Sequence, residues 1–322
     1  MGKLFLFFVL LLIVFSACKK DRVSVDVVDL SRPQSDYIYS SIAQLGNTFF
    51  IAGGSRWSAS SLLLLNADKQ LTEISLDVND QQKALYGVDC LPDGHIAAVG
   101  YEGQLYVSDD SGKSWRIQRQ IESKPYQDIA WLTTDSVLIV GGISFNKGFS
   151  LKSSTWHQPD IQDFDLRNFE IVDIDHAEKD VYYLAGYGAI LKSTNRGRQW
   201  DFTAAKNDYF KGMAWINALE GVAVGYAGLI LQTKDGGDNW EEISDSGLPK
   251  NRKCLNVDIN IQGDCVIAGE QGFMAFKRAG ASSWRTARPF TNSDLKAVKM
   301  VNNQEVLVCG TQGAIYLVQW PE

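Results

Sequence analysis

The sequence predicts an all-β fold, a seven-bladed β-propeller of four-stranded antiparallel blades, on three observations. Trp115, Trp156, Trp200, Trp240 and Trp284 recur 40 to 44 residues apart, an internal repeat. Each follows a glycine (Gly100, Gly141, Gly186, Gly225, Gly269) by 14 or 15 residues. Before each glycine lies a short apolar run (HIAAVG, SVLIVG, DVYYLAG, EGVAVG, DCVIAG), and two more, ending at Gly53/Gly54 and at Gly310, bring the series to seven. A unit of this period built from short strands cannot bury both of its faces alone, so it stacks on its neighbours around a ring.

Within each repeat the innermost strand comes first, in segments such as ALYGVDCL, YQDIAWLT and CLNVDINI, followed by a polar turn such as Pro92-Asp93-Gly94. The second strand ends at the anchor glycine. A Gly-x-x-Gly turn follows at Gly100, Gly225, Gly269 and Gly310, where positive φ is expected. The third strand comes next, and the fourth opens at the tryptophan. The last repeat stops at Trp320-Pro321-Glu322 and lacks a fourth strand. Val23 to Leu30 (VSVDVVDL) alternates apolar and polar residues and belongs to no repeat, so it is expected to complete the last blade and close the ring.

The amino terminus points to export. Lys3 precedes an unbroken apolar run from Leu4 to Phe15, too short to span a bilayer as a helix but suited to a secretory leader. The run ends in Phe15-Ser16-Ala17-Cys18, which resembles a bacterial lipobox. That resemblance implies cleavage after residue 17, a lipidated Cys18, and a propeller over residues 18–322 tethered in the bacterial cell envelope. Lys19-Lys20 carries no inner-membrane retention aspartate, which favours the outer membrane. Net charge is −7, from 31 basic and 38 acidic residues without a basic block, and this argues against nucleic acid as a partner. Cys90, Cys254, Cys265 and Cys309 fall in strand runs and read as buried thiols, although an even number in an exported chain leaves disulfides open.

Between third and fourth strands a second motif recurs. Ser108 to Trp115 contains Asp110, Gly112 and Trp115; Ser193 to Trp200 contains Asn195, Gly197 and Trp200; Thr233 to Trp240 contains Asp235, Gly237 and Trp240. These segments resemble the Asp-box, or BNR repeat, in which the Asp or Asn accepts N–H groups across its own turn and glycine takes a left-handed conformation. Phe149 to Trp156 and Lys277 to Trp284 keep the tryptophan but lose the Asp and Gly, so packing alone is expected to hold them. The glycine turns, the Asp-boxes and the seven repeats together resemble the photosystem II stability and assembly factor family, over residues 36 to 320. The resemblance implies a protein that binds polypeptide partners and catalyses nothing. The family's arginine-rich patch has no residue-by-residue match here.

Strand order places the fourth-to-first connections and the second-to-third turns on one face. Its longer loops are expected to carry function. They hold Arg119, Lys124, Arg167, Lys206, Lys211, Arg252, Lys253, Arg285 and Arg288, together with the turn tyrosines Tyr101, Tyr187 and Tyr226. This surface is expected to bind a protein or peptide of the envelope, as a monomer. The alternative is a glycan: a lectin, or a sialidase-like glycoside hydrolase using a pair of carboxylates such as Asp173 and Asp175. Asp89, Asp173 and Asp258 are expected to share one position on the inner strands, which speaks for a structural role. His95, His157 and His176 lie in separate repeats without ligand spacing, and no nucleophile or phosphate-cradling motif is present, so neither a metal nor another cofactor is expected.

Overall fold

The computed structural model describes residues 22–320 except 33–35, 77–82, 119–124, 142–146, 153–159, 166–169, 179, 244–247 and 250. The expected leader, Cys18, Arg119, Lys124, Arg167, Trp156 and His157 lie outside the described residues.

The described chain is all-β and propeller-like. Five sheets have four antiparallel strands and one has six. The second strand of each unit is buried on both sides, as in Phe49–Ala52, Ile96–Val99, Val137–Val140 and Val306–Cys309, each residue at 3% exposure or less. That explains why these strands read as continuous apolar runs instead of alternating ones. The core consists of layers between neighbouring sheets: Phe50, Ala52 and Leu62 pack on Leu85, Val88 and Tyr106, and Tyr39, Ile51 and Leu63 on Leu307, Cys309 and Ile315. The innermost strands, Tyr37–Leu45, Leu85–Cys90, Tyr126–Thr133, Ile171–Glu178, the end of Asp201–Trp215, Cys254–Ile259 and Leu295–Met300, abut one another in chain order, and the last abuts the first.

The six-stranded sheet departs from expectation. Asp201–Trp215 runs unbroken from the outer edge of one repeat into the innermost strand of the next, where a loop was expected. No proline interrupts the segment, and its one glycine, Gly212, comes late. Lys206, Tyr209 and Lys211 therefore belong to a strand. Val181–Ser193 likewise continues through Tyr187, which pairs with Tyr209 and is followed by Gly188 at a φ of 77°.

The amino-terminal segment is divided between two sheets. Val27–Asp29 pairs with Ile315–Gln319 as the outer strand of the last sheet. Val23 instead bridges Ala287 of the sheet before it, donating to the Thr286 carbonyl at 2.8 Å and accepting from the Arg288 N–H at 2.8 Å. The cysteines Cys90, Cys254, Cys265 and Cys309 are free thiols, so the disulfide alternative is not realised.

In the Gly-x-x-Gly turns the expected positive φ falls on the second glycine, Gly103, Gly228, Gly272 and Gly313, while the first is required for another reason. Gly100 and Gly269 are extended, with φ of −165° and −162°. A Cβ on Gly100, Gly269 or Gly310 would stand 2.3, 2.2 or 1.8 Å from the carbonyl oxygen of Ala84, Lys253 or Asp294, so they are sites of close backbone approach. Positive φ falls later in the turn, on Glu102/Gly103, Gln271/Gly272 and Gln312/Gly313. The hairpin Lys277–Trp284 is also not held by packing alone. Asp264 from the neighbouring turn accepts the Ala279 N–H at 2.9 Å and pairs with Arg278 at 3.0 Å.

Candidate functional site

The turn face is built from backbone hydrogen bonds. Tyr101, Tyr187, Glu270 and Thr311 each donate an N–H to the carbonyl of the residue just before the adjoining innermost strand, and Tyr226 donates to the carbonyl of Tyr209 within Asp201–Trp215. Each second-to-third connection is thereby fixed beside the entrance to the centre of the molecule. Tyr187, Tyr209 and Tyr226 form a row there, with ring centroids 5.8 and 6.4 Å apart. Tyr209 donates its hydroxyl to Glu170 at 2.5 Å and Tyr226 donates to Glu270 at 2.7 Å. Lys211 lies 4.4 Å from the centre of the Tyr209 ring and Lys253 4.3 Å from that of Tyr226, within range of cation–π attraction. Hydrogen bonds to Tyr226 and Glu270 raise the Lys253 pKa. Burial works to raise the Glu270 pKa, but hydrogen bonds from Tyr226 and Lys253 outweigh it and hold the carboxyl below its usual range. Tyr187 remains 66% exposed.

A second cluster on the same face was missed by sequence reasoning. Trp57, 64% exposed, meets Tyr101 edge-on at 5.2 Å, with Arg56 4.8 Å from the Trp57 ring centre. Lys83 pairs with Glu102 and lies 5.5 Å from the Tyr101 ring centre. The signal was available: Gly53-Gly54-Ser55-Arg56-Trp57 occupies in its repeat the place Gly100-Tyr101 occupies in the next.

Between the innermost strands lies a cavity of about 660 Å³. Counting from the residue opposite each anchor glycine, Asp128, Asp173 and Asn256 share the second position, and Asp89, Asp175 and Asp258 the fourth. The expected alignment of Asp89, Asp173 and Asp258 is thus corrected. A register shift precedes the second position in each of these strands, and Asp128 was missed for the same reason. These side chains tie one innermost strand to the next. Asp89 Oδ2 accepts from Trp131 N at 2.8 Å, Asp128 from Ile174 N at 3.1 Å, Asp173 from Met213 N at 3.1 Å and Asp258 from Met300 N at 2.7 Å. Asn256 and Ser41 do the same for Val298 N and Val88 N. Burial pushes Asp128 up to about 7, with repulsion from Asp89 and Asp175 adding to the effect. Burial also raises Asp175 to about 6 and lifts Asp173 well above the usual carboxylate range.

Of the sequence-predicted residues, the structure brings Tyr187, Tyr226, Lys211 and Lys253 together, and puts Tyr101 in the second cluster. Arg252 lies 5.9 Å from the centre of the Phe273 ring. Lys206 pairs through its backbone with Ala189. Arg285 is in the outermost strand of its sheet, and Arg288, in the connection that follows it, donates Nε to the Arg22 carbonyl at 3.3 Å. Of the three histidines, His95 sits 2.8 Å from Asp93 and His176 3.9 Å from Asp175, and no cluster with metal-binding geometry occurs among the described residues.

The fold and the face define a class, a β-propeller with an aromatic and cationic turn face around a charged central cavity. No model of a known protein family matches the chain. It is 25% identical over 167 residues to the chloroplastic photosystem II stability/assembly factor HCF136 of Oryza sativa subsp. japonica, and 21% identical over 149 residues to that of Arabidopsis thaliana. Each match covers 44% of this chain, and 40% and 36% of those relatives' lengths. Among solved structures, YCF48 bound to D1 peptide superposes with a TM-score of 0.71 at 12% identity, covering 94% of this chain and 98% of that one. YCF48 from Cyanidioschyzon merolae gives 0.72 at 14%, covering 91% and 98%. A catalytically inactive virginiamycin B lyase from Staphylococcus aureus with quinupristin gives 0.74 at 10%, covering 92% and 100%. At such identities the likeness is one of fold.

Proposed function

We propose that this chain is a seven-bladed, ring-closed propeller that binds a polypeptide partner on its turn face, anchored by lipid at Cys18 in the cell envelope. The observation that carries the binding reading is the row Tyr187, Tyr209 and Tyr226 with Lys211 and Lys253 against its rings. Two of the hydroxyls are held by glutamates, which fixes the orientation of their rings, while Tyr187 stays open to solvent. Rigid aromatic rings with cations beside them suit an extended backbone carrying apolar and acidic side chains. The similarity to the assembly factors and the shared fold with a peptide-bound YCF48 support the same reading. Seven blades follow if the six-stranded sheet is two units sharing Asp201–Trp215. Closure is supported by the contact of the first and last innermost strands and by the Val27–Asp29 pairing. The loops at Asp110, Asn195 and Asp235 are read as structural Asp-boxes.

A photo-crosslinking amino acid at Tyr187 tests the binding face. It is expected to capture a defined polypeptide in envelope preparations, and to lose it when Tyr209 and Tyr226 are both changed to Ala. The same crosslinker at Leu219, in the turn between the first and second strands of its repeat at the opposite end, serves as the control. Equal capture from both positions would overturn the assignment of the face.

A further inference from the structure

We propose that the mouth of the central cavity is a binding site for a small dipolar ligand that presents its carboxylate outward and its ammonium group inward. The wall is layered by charge. Lys211 and Lys296 follow Phe210 and Leu295, the residues opposite the anchor glycines, and form the outer layer; Asp128 and Asp173 stand one position deeper. At about 3.3 Å of rise per residue, the two layers are close enough for one short molecule to touch both.

Neither layer is closely paired from within. Among the described residues Lys211 has no ion pair, its contact being the Tyr209 ring, and Lys296 reaches Asp294 only at 3.7 Å. Asp128 and Asp173 each accept a backbone N–H from the next strand, yet neither meets a cation within 4 Å among the described residues. Deeper in the same cavity Lys299 donates to Asp258 at 2.9 Å, while Asp89 and Asp175 at the same level meet no lysine or arginine within 4 Å among the described residues. Uncompensated charge in a confined space is costly, and a ligand bearing the opposite charge in each layer removes both costs together. Burial and the nearby Lys296 lower the Lys211 pKa against the attraction of Glu170 and Asp173, while burial raises those of Asp128 and Asp173, with Lys211 opposing the rise at Asp173.

A free α-amino acid and the carboxy-terminal lysine of a polypeptide share this chemistry and differ in the separation of their charges. Calorimetric titration of the full-length protein in detergent at about pH 8, above the value of about 7 to which Asp128 is raised, separates them. The probes are glycine for the first source and 6-aminohexanoate for the second, with acetate and ethylamine as single-charge controls. One dipolar probe is expected to bind, both controls to give no heat, and Lys211→Met to weaken binding by about tenfold or more. Lys296→Met carries the same expectation should the first variant lose its circular dichroism spectrum. Leu219→Ala, at the opposite end and outside both the cavity and the tyrosine row, is expected to leave the affinity unchanged, and crosslinking from position 187 reports on the docking face separately. Binding of neither dipolar probe, or binding of acetate as tightly as the dipolar probe, would overturn the proposal.

Discussion

Gly112, Gly197 and Gly237 show how one residue can serve two neighbouring units. Each has positive φ (84°, 74° and 81°), and its amide donates to the Ser108, Ser193 or Thr233 hydroxyl four residues before it. A Cβ on them would stand 2.8, 2.9 and 2.9 Å from side-chain atoms of Phe50, Leu138 and Tyr183, each on the second strand of the preceding unit. The glycine is therefore demanded by the local turn and by the neighbouring unit together. Gly237→Ala is expected to cost about 2 kcal/mol, from strain at positive φ and overpacking against Tyr183, read as a lower urea midpoint. The preceding residue is also left-handed. It is glycine in only one of the loops: Gly236 has φ of 71°, against 62° for Ser111 and 61° for Arg196. Ser111 is exposed, so Ser111→Gly should relieve strain and raise stability by about 1 kcal/mol in the same measurement. A midpoint lowered by Ser111→Gly would contradict that conformation.

At the scale of the element, the second strands were the most legible part of the chain. A strand covered on both faces must be apolar throughout, and the glycine that ends it is fixed by a carbonyl pressed against its Cα. The innermost strands were less legible because each carries a register shift whose position depends on pairing, and a shift of one residue moves every later side chain to a new level. Asp128 and Asp173 could not be aligned by spacing for that reason. The continuous Asp201–Trp215 strand was missed because turn-forming Asn207 and Asp208 sit in its middle. In the folded chain Asp208 does not make a turn of its own, and its carboxylate accepts N–H groups from Tyr209 at 2.6 Å, Ala227 at 2.7 Å and Leu229 at 3.1 Å. It stitches the strand to the neighbouring turn while itself only 7% exposed. Asp208→Ala orphans these donors and should cost about 2–3 kcal/mol, with faster amide exchange at Ala227 and Leu229 as its local signature. Exchange rates unchanged at those amides would show that the turn holds itself. Of the candidate site, residue types were legible but grouping was not, since rings and amines from separate repeats meet only after the sheets are arranged.

For the molecule as a whole, the cavity acids set an unusual dependence of stability on pH. Asp89, Asp128, Asp173 and Asp175 have pKa values raised first by burial, with mutual repulsion contributing and His176, Lys211 and Lys299 opposing it in part. In the unfolded chain the same groups titrate near 4. Between about pH 4 and pH 7 the folded state therefore retains protons that the unfolded state has released, and stability falls as pH rises through that window. Asp110 acts in the opposite sense. Hydrogen bonds, chiefly from Ser114, hold it down to about 2, so its contribution is present above about pH 4 and is lost only on further acidification. The two effects place the maximum of stability on the acid side of neutrality, near the lower edge of the cavity's titration. The melting temperature is expected to drop between about pH 5 and about pH 8. Asp128→Asn should flatten that drop, because the amide oxygen can still accept from Ile174 N while the charge is gone. A melting temperature that climbs steadily to pH 8 in the parent protein, or a slope indifferent to Asp128→Asn, would mean that the cavity carboxylates titrate as solvated groups, and the charge layering of the mouth would lose its physical basis with them.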